Sequence, residues 1–403
     1  MSTHDQGPSR RGARILEAIR RYAPVTRSEI AARTGLTRAT VTHGVGELID
    51  TGVVEELGRR STGRGQPPIE LRIRPRTAYT IGVQHTYRVI HVALADLDGT
   101  VLERNAVDSE PAGPVETVRA LAEAVKAMIA SLGDERERLL GVGLATFGPL
   151  DLAEGTVAPP IYGDDWQHQP LRRMLAEATG VPVWLDNDAV AAAIGEFWYG
   201  AARPYDDFLL VYLGFGLGGG LFLGGRVHRG AAYNAAEIGH MIVDVDGDPW
   251  FHGPPGSLES EVSLLRLERD LGAPPDLDRD LSRVDDPRVA AWLDRAGLRL
   301  AQAAASADHL LDLEAVVFGG LVNGATLEAI VERVGHHVRR FGIDARPHKA
   351  DLVVGTTGPF SAALGAAMLP IYDAFLPARS DGMPIERAFS EPRTSPRGGE
   401  PKA

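Results

Sequence analysis

The sequence predicts an α/β protein preceded by a small winged helix-turn-helix domain. Three features support this fold class. Arginine is concentrated near the N-terminus, the hydrophobic spacing there changes from helical to alternating, and apolar runs alternate with helical segments in the remainder. We predict domains at 10–76 and 77–378, with disordered tails at 1–9 and 379–403 because both ends are rich in polar residues, Pro and Gly.

Composition excludes several classes of protein. The 403 residues include no cysteine, which excludes disulfides, a cysteine nucleophile and thiolate metal sites. The N-terminus is polar with no apolar segment after it, and the uncharged run 209–225 contains seven glycines. We therefore expect neither a signal peptide nor a membrane span, and we predict a cytoplasmic protein.

The charge of the chain is unevenly distributed. Between Arg10 and Arg76 there are fourteen arginines, no lysine and seven acidic residues, a net charge of +7. The whole chain carries −12, so the remainder carries −19. A basic block on an acidic body indicates a separate module that binds a polyanion.

Three helices are predicted within the basic block. Ile15, Ile19 and Tyr22 recur at helical spacing and predict one apolar face of the first helix. Residues 26–29, Thr-Arg-Ser-Glu, have the spacing of a capping box and predict the start of the second helix. Gly35 predicts its end, because glycine readily adopts the left-handed conformation that follows helices.

A third helix and a hairpin complete the predicted domain. Thr37 caps the third helix, and the two helices joined by a turn form a helix-turn-helix. Alternation then predicts strands at 53–57 and 69–73, with residues 58–67 as a polar hairpin tip, or wing.

The exposed polar residues of the third helix and wing suggest DNA binding. A helix can place such side chains against base edges in the major groove, and a basic wing can neutralise phosphates or enter the minor groove. The alternative is a solvated basic face on a protein-binding winged helix. The predicted DNA-binding residues are Arg38, Thr40, Thr42 and His43 on the helix and Arg59, Arg60 and Arg64 on the wing.

The acidic body contains two successive sets of predicted strands and helices, which suggests two lobes, about 77–200 and 201–378, with a cleft between them. A helix is predicted at 115–132, and further helices follow the strand at 241–244. The predicted strands are 79–83, 89–95, 100–103, 139–145, 181–185, 208–213, 217–223, 241–244 and 315–318.

Four segments of this body, in order, resemble the ROK family of repressors and sugar kinases. They are Leu185–Ala193, Gly214–Gly220, Glu237–Met241 and Gly253–Glu259. The resemblance covers about residues 11–370, and the N-terminal domain looks like the DNA-binding part of the family's repressors. It implies an actin/hexokinase-like fold of two lobes, built from duplicated ribonuclease H-like units, with a sugar held between them.

The resemblance also implies which side chains hold the sugar hydroxyls, and carboxylates and amides are suited to that task. In a kinase relative, Asp188 would also be the general base. Each of these residues also has a structural alternative. Residues 186–188 could cap a helix, Glu237 and His240 could pair at i, i+3 on a helix surface, and Glu259 could be a solvated charge. The implied ligand residues are Asn187, Asp188, Glu237, His240 and Glu259.

The segment that resembles the kinases' first phosphate loop is altered. That loop has the pattern D-x-G-x-T, and Gln84 stands at the acidic position. Bulky His85 and Tyr87 stand where small residues would let the backbone approach phosphate, and Phe215 replaces the usual Thr in the second loop. Gln cannot supply a charged ligand to Mg²⁺, so we expect no ATP or magnesium site.

The family's zinc site also departs from its pattern. His240 is present, but Trp250, His252 and Ser257 occupy the three cysteine positions. Two His and a Ser make a poor tetrahedral set, so we expect no zinc.

We therefore predict a sugar-responsive repressor that binds a DNA operator as a homodimer and is not an enzyme. One alternative is an ATP-dependent, glucokinase-like sugar kinase with a DNA-binding head. Another is a regulator that has lost its sugar pocket and responds to a protein partner.

Overall fold

The structure is a computed structural model that describes residues 8–60, 67–86, 88–109, 113–157, 166–247, 254–341 and 349–376. Apart from Pro8 and Ser9, the predicted tails, 1–9 and 379–403, lie outside the described residues. Ser9 is not part of a tail. It caps the first helix, because its side-chain oxygen accepts a hydrogen bond from the Gly12 amide at 3.2 Å.

The N-terminal domain is a winged helix-turn-helix. Its strands form an antiparallel sheet in the order β1-β3-β2, and the sequence did not indicate the short β1. The second strand extends to Arg59, which pairs with Ile69, so the wing tip begins later than predicted. The elements are α1 Arg10–Tyr22, β1 Val25–Thr26, α2 Arg27–Thr34, α3 Arg38–Asp50, β2 Val54–Arg59 and β3 Ile69–Ile73.

Local sequence sets the helix boundaries in this domain. Thr26 and Glu29 form the predicted capping box at the start of α2. Gly35 ends that helix with a φ of 67°, where a side chain would be strained. Thr37 caps α3 by accepting a hydrogen bond from the Thr40 amide at 3.2 Å.

One predicted core position of α1 is wrong. Ile15 and Leu16 are fully buried, whereas Tyr22 is 36% exposed and lies under the Arg33 guanidinium, 3.9 Å from the ring centroid. A Cβ at Gly44 of α3 would lie 2.5 Å from the Ile15 side chain. Glycine at this position therefore lets α3 pack closely on α1.

The first lobe is built on a mixed sheet in the order β10-β7-β4-β5-β6. The predicted strands are present, and the third extends to Asp108. The elements are β4 Tyr79–His85, β5 Val89–Asp96, β6 Val101–Asp108, α4 Pro114–Ser131, β7 Leu139–Thr146, β8 Leu150–Asp151, β9 Thr156–Val157, α5 Leu171–Thr179, β10 Val183–Asn187 and α6 Asp188–Tyr199.

The second lobe has a sheet in the order β13-β12-β11-β14-β15. The predicted strand at 241–244 is wrong: Ile242 makes a single bridge to Ser257 and is half exposed. The elements are β11 Phe208–Leu213, β12 Leu217–Leu223, β13 Arg226–Val227, α7 Leu258–Val262, α8 Leu264–Leu271, α9 Pro287–Leu311, β14 Ala315–Gly320, α10 Gly324–Arg340 and β15 Asp351–Val354.

The last helix, α11 Ser361–Phe375, packs on the first lobe, so the predicted division of the lobes at residue 200 is wrong for this helix. A Cβ at Gly82 or Gly143 would overlap the backbone of α11, and a Cβ at Gly365 would overlap α6. These glycines let α11 lie directly against the sheet and against α6. None of the described helices, α11 included, is long and apolar enough to cross a membrane.

Candidate functional site

A cleft between the lobes brings together all five residues expected to hold the ligand. Its lining encloses about 800 Å³ of space, including the open mouth. Asn187 and Asp188 lie where β10 passes into α6, Glu237 and His240 flank a short 3₁₀ turn, and Glu259 lies on α7. Residues more than 70 positions apart in the sequence therefore face one space.

Asn187 and Asp188 start α6 at the bottom of the cleft. The Asn187 side-chain oxygen accepts hydrogen bonds from the amides of Ala189 at 2.9 Å and Val190 at 3.3 Å, so the helix-capping interpretation holds for this residue. An Asp188 carboxylate oxygen also accepts from Ala189, at 2.8 Å. Burial raises the pKa of Asp188 to about 7, the Ala189 amide opposes this shift, and the negative charge of Glu237 adds to it.

Glu237 and His240 form one side of the cleft mouth. Both side chains are exposed to the cleft, and they flank a single 3₁₀ turn. Partial burial raises the pKa of the Glu237 carboxyl, and the nearby His240 opposes this shift. The pair can therefore offer a carboxyl group and an imidazole ring to a polar ligand.

Glu259 is buried, contrary to the alternative of a solvated charge. One of its carboxylate oxygens accepts a hydrogen bond from the Leu217 amide at 3.0 Å. Leu217 begins β12 directly after the glycine-rich turn at 214–216, so Glu259 holds that turn in place on the wall of the cleft.

A hydrogen bond between the lobes lies at the position that resembles the kinases' first phosphate loop. Gln84, at the end of β4, is fully buried, and its amide nitrogen donates to the Tyr212 hydroxyl at 2.6 Å. Tyr212 lies on β11 of the second lobe and lines the cleft. A neutral amide and a phenol thus replace the acidic residue that the family's kinases have at this place.

Aromatic rings pack around His85, the residue that follows Gln84. His85 stacks on Trp166 and packs against Phe147, with ring centroids 5.5 Å apart in each pair. Burial lowers the pKa of His85 to about 4, so the ring is neutral at neutral pH. Tyr87, the other bulky residue predicted here, lies outside the described residues.

Sequence reasoning missed the buried ion pair that supports the cleft. Arg229 donates from both terminal nitrogens to the Asp186 carboxylate, at 2.9 and 2.6 Å, and both side chains are almost completely buried. Asp186 directly precedes Asn187, so the pair fixes the end of β10. A buried Asp requires a partner, but no sequence signal indicates an arginine 43 positions away.

The predicted recognition helix exposes most of its predicted DNA-binding residues. Arg38, Thr42 and His43 are exposed on α3. Thr40 differs: it is half buried and its hydroxyl lies 2.9 Å from that of Thr37, within the helix cap. The face available to a major groove is therefore formed by the other three side chains.

The wing arginines have different surroundings. Arg59 is exposed on β2. Arg60 instead holds the base of the wing, because its guanidinium lies 2.8 Å from the Glu29 carboxylate and 2.5 Å from that of Glu70. Arg64 lies outside the described residues.

The family of the chain follows from a match over most of its length. A model of the ROK family matches residues 80–372. The chain belongs to the ROK family. A second model, the IclR helix-turn-helix domain, matches residues 10–58, so a DNA-binding type of domain precedes the ROK domain. These matches confirm the predicted family and fold class.

ROK relatives of this chain include both repressors and kinases. A putative xylose repressor of Caldicellulosiruptor sp. is 32% identical over 64% of this chain and 65% of its own length, slightly under two thirds. A glucokinase of Thermotoga maritima is 31% identical over 61% of this chain and 82% of its own length. The crystal structure of a ROK family transcriptional regulator, a homologue of the Escherichia coli Mlc protein, has a TM-score of 0.71 at 21% identity, covering 92% of this chain and 98% of its own; it shares the fold.

The ROK zinc site does not fit the residues of this chain. The Ser257 hydroxyl accepts a hydrogen bond from the Ser260 amide at 3.3 Å and caps α7. Within the described residues, no group of three or more His, Asp or Glu side chains could hold a metal ion. Trp250 and His252 lie outside those residues, and the absence of cysteine removes the thiolates on which the family's site depends.

The DNA-binding head contacts the ROK domain through the C-terminal end of α6. Arg20 of α1 donates to the Tyr199 hydroxyl at 3.0 Å, and its guanidinium lies 4.6 Å from the Trp198 ring centroid. The neighbouring Arg21 pairs with Asp206 at 2.9 Å. Because the first turn of α6 lines the cleft, this single helix connects the candidate ligand site to the head.

Proposed function

We propose that this ROK protein is a DNA-binding transcriptional repressor of carbohydrate-utilisation genes, and that its cleft binds a sugar without phosphorylating it. The observation that carries the proposal is the contrast between the groups that line the cleft and the residue that stands at the acidic position of the kinases' first phosphate loop. Asp188, Glu237 and Glu259 line the cleft, whereas that position holds Gln84, whose neutral amide donates to Tyr212. The repressor relatives and the helix-turn-helix domain support the same function.

The sugar would be held through its hydroxyl groups. They would donate to the carboxylates of Asp188, Glu237 and Glu259, and a site built for such bonds discriminates strongly against ligands that lack the hydroxyls. Asn187 and His240 lie within the same lining and would complete the polar contacts.

Phosphoryl transfer would require a place for Mg²⁺ and the nucleotide phosphates. Mg²⁺ prefers carboxylate and phosphate oxygens, and the amide of Gln84 is neutral. The rings of His85, Trp166 and Phe147 pack on one another directly after Gln84, where the resemblance to the kinases' first phosphate loop calls for small residues. We therefore propose that the repressor uses neither ATP nor magnesium, and no zinc.

DNA recognition would use Arg38, Thr42 and His43 on α3, together with Arg59 on the wing. Two copies of the chain related by a two-fold axis would present two such helices to a palindromic operator. Sugar binding would change the position of α6, and Arg20 would transmit that change to the head. Such a response requires the sugar to bind the two conformations with different affinity.

A second function, sugar phosphorylation, is favoured by one observation. Asp188 has a pKa raised to about 7, which suits a general base near neutral pH, and a glucokinase is among the relatives. The test measures the release of ADP when the protein is incubated with ATP, Mg²⁺ and each sugar of a panel. Multiple turnovers per protein chain would favour the kinase over the non-catalytic repressor. A rate of ADP release equal to that without sugar would exclude sugar phosphorylation.

The decisive experiment compares two variants on one operator, selected from random DNA by the purified protein. We expect Arg38→Ala to abolish operator binding and to retain stabilisation by sugar in a thermal-shift assay. We expect Asp188→Asn to bind the operator normally and to lose the response to sugar. If both variants changed operator binding equally and sugar affected neither wild type nor variants, the proposal would fail. The absence of stabilisation by any sugar would favour a protein partner instead.

A further inference from the structure

The described lining of the cleft is acidic and contains no permanent cation. Asp188, Glu237 and Glu259 contribute carboxyl groups, and none of the lining residues in the described ranges is Lys or Arg. Arg229, the buried arginine of this region, directs both terminal nitrogens to Asp186.

Three backbone amides of the cleft wall are already engaged in hydrogen bonds. Helix N-termini bind anions through free N–H groups, but the first amides of α6, at Ala189 and Val190, donate to the side chains of Asn187 and Asp188. The glycine-rich turn is similarly occupied, because the Leu217 amide donates to Glu259. These parts of the cleft wall therefore offer acceptors to a ligand and few free donors.

His85 does not supply the missing positive charge. Its ring is stacked on Trp166 and is buried among apolar rings, an environment that favours the neutral imidazole. His240 is the other imidazole of the described lining, and Glu237 lies beside it at the mouth. Within the described lining, a dianion would thus meet three carboxyl groups and no Lys or Arg.

We propose that the cleft selects an uncharged sugar and excludes the phosphate esters of that sugar. This inference rests on the proposed function, since it concerns the same site. A phosphate ester carries about −1.5 to −2 charges at neutral pH, and its desolvation next to three carboxyl groups is not compensated by donors. A free sugar carries no charge, and its hydroxyls donate hydrogen bonds that the carboxylates accept.

The test is calorimetric titration of the full-length protein with matched pairs: glucose and glucose 6-phosphate, xylose and xylose 5-phosphate, and N-acetylglucosamine and its 6-phosphate. For whichever sugar binds, we expect its phosphate to bind at least tenfold more weakly. Equal or tighter binding of a phosphate would overturn this inference and leave sugar sensing intact. Binding of no member of any pair would overturn the proposed function as well.

A variant tests the electrostatic cause. Glu237→Gln removes one carboxylate at the accessible mouth, and we expect it to reduce the ratio of the two dissociation constants at least threefold. The matched control is Glu177→Gln, on the exposed surface of α5 outside the cleft lining, which should leave the ratio unchanged. An unchanged ratio in Glu237→Gln would overturn the argument.

If Glu237→Gln abolishes sugar binding, salt provides the second measurement on the wild type. Raising the ionic strength from 0.02 to 0.5 M screens the repulsion at the open mouth. We expect the ratio of dissociation constants to decrease at least threefold, and a ratio independent of salt would overturn the inference.

Discussion

The two ends of the cleft differ in how their polar groups are used. The part of the cleft lined by Asp188, Glu237 and His240, here called the hydroxyl end, has these side chains facing the open space. The buried ion pair of Asp186 and Arg229 supports this end, because Asp186 lies next to Asn187 at the end of β10. Around Gln84, here called the phosphate end, the amide nitrogen donates to Tyr212, and the ring of the next residue, His85, stacks on Trp166. Under the proposed function, the cleft would retain the groups that bind hydroxyls, while the position at which the family's kinases have an acid holds a neutral amide.

The largest expected effect concerns the support of the hydroxyl end. Arg229→Met leaves the Asp186 carboxylate buried without its partner, and we expect a loss of about 3–5 kcal/mol in the free energy of unfolding, measured by chemical denaturation. The double variant Asp186→Leu with Arg229→Met should recover part of this loss, because no unpaired charge remains. A single-variant loss below about 1 kcal/mol would show that the pair does not hold this end together.

A smaller effect is expected from the phosphate end. Tyr212→Phe leaves the buried Gln84 amide nitrogen without its acceptor, which should cost about 1–3 kcal/mol of unfolding free energy. The control is Tyr205→Phe, whose hydroxyl bonds to Asp351 at the surface and whose loss should cost under about 0.5 kcal/mol. Equal effects of the two changes would mean that the Gln84–Tyr212 bond does not tie the lobes together.

The raised pKa of Asp188 predicts a dependence of stability on pH. Burial raises the folded-state pKa from 3.8 to about 7, so ionisation of this carboxyl opposes folding. The loss of unfolding free energy caused by this ionisation is absent below about pH 4, grows between about pH 4 and 7, and is constant above about pH 7. Relative to wild type, Asp188→Asn should therefore gain stability on going from pH 4 to pH 8, on the order of 1–2 kcal/mol because the cleft is partly open to solvent.

Denaturation of both proteins at pH 4, 6 and 8 measures this difference, in which the other titrating groups cancel. A difference in stability that is constant across the three values would show that the folded-state pKa of Asp188 is not raised.

The smallest expected effect on stability, under about 1 kcal/mol, comes from the contact between head and ROK domain. Asp206→Asn removes the ion pair of this exposed carboxylate with Arg21. We expect operator and sugar affinities within threefold of wild type, and a change of operator affinity on sugar binding reduced at least fivefold. The control Arg33→Ala removes a contact within the head, to Tyr22, and should retain the response. A full response in Asp206→Asn would exclude this ion pair from the coupling.

Features with local causes could be predicted from the sequence. Thr26, Gly35 and Thr37 set the helix ends of the head because caps depend on neighbouring residues. The five cleft residues were expected from ordered motifs that resemble the ROK family, and the structure places them around one space. Helical spacing placed Tyr22 in the core, but the pattern did not reveal that Leu16 would be buried there instead.

Features that depend on distant partners could not be predicted. Arg229 is 43 positions from Asp186, and Tyr212 is 128 positions from Gln84. The position of α11 on the first lobe depends on the close approach that Gly82 and Gly143 allow, which no spacing within either segment reveals. The arrangement of these groups is a property of the packed lobes.

The transfer of labelled phosphate from [γ-³²P]ATP to the sugar that best stabilises the protein, in the presence of Mg²⁺, tests the central claim most directly. The account predicts no labelled sugar above the level without protein, although the same sugar binds and changes operator affinity. Many labelled sugar molecules per protein chain would contradict it, because the end of the cleft beside Gln84 would then hold a nucleotide.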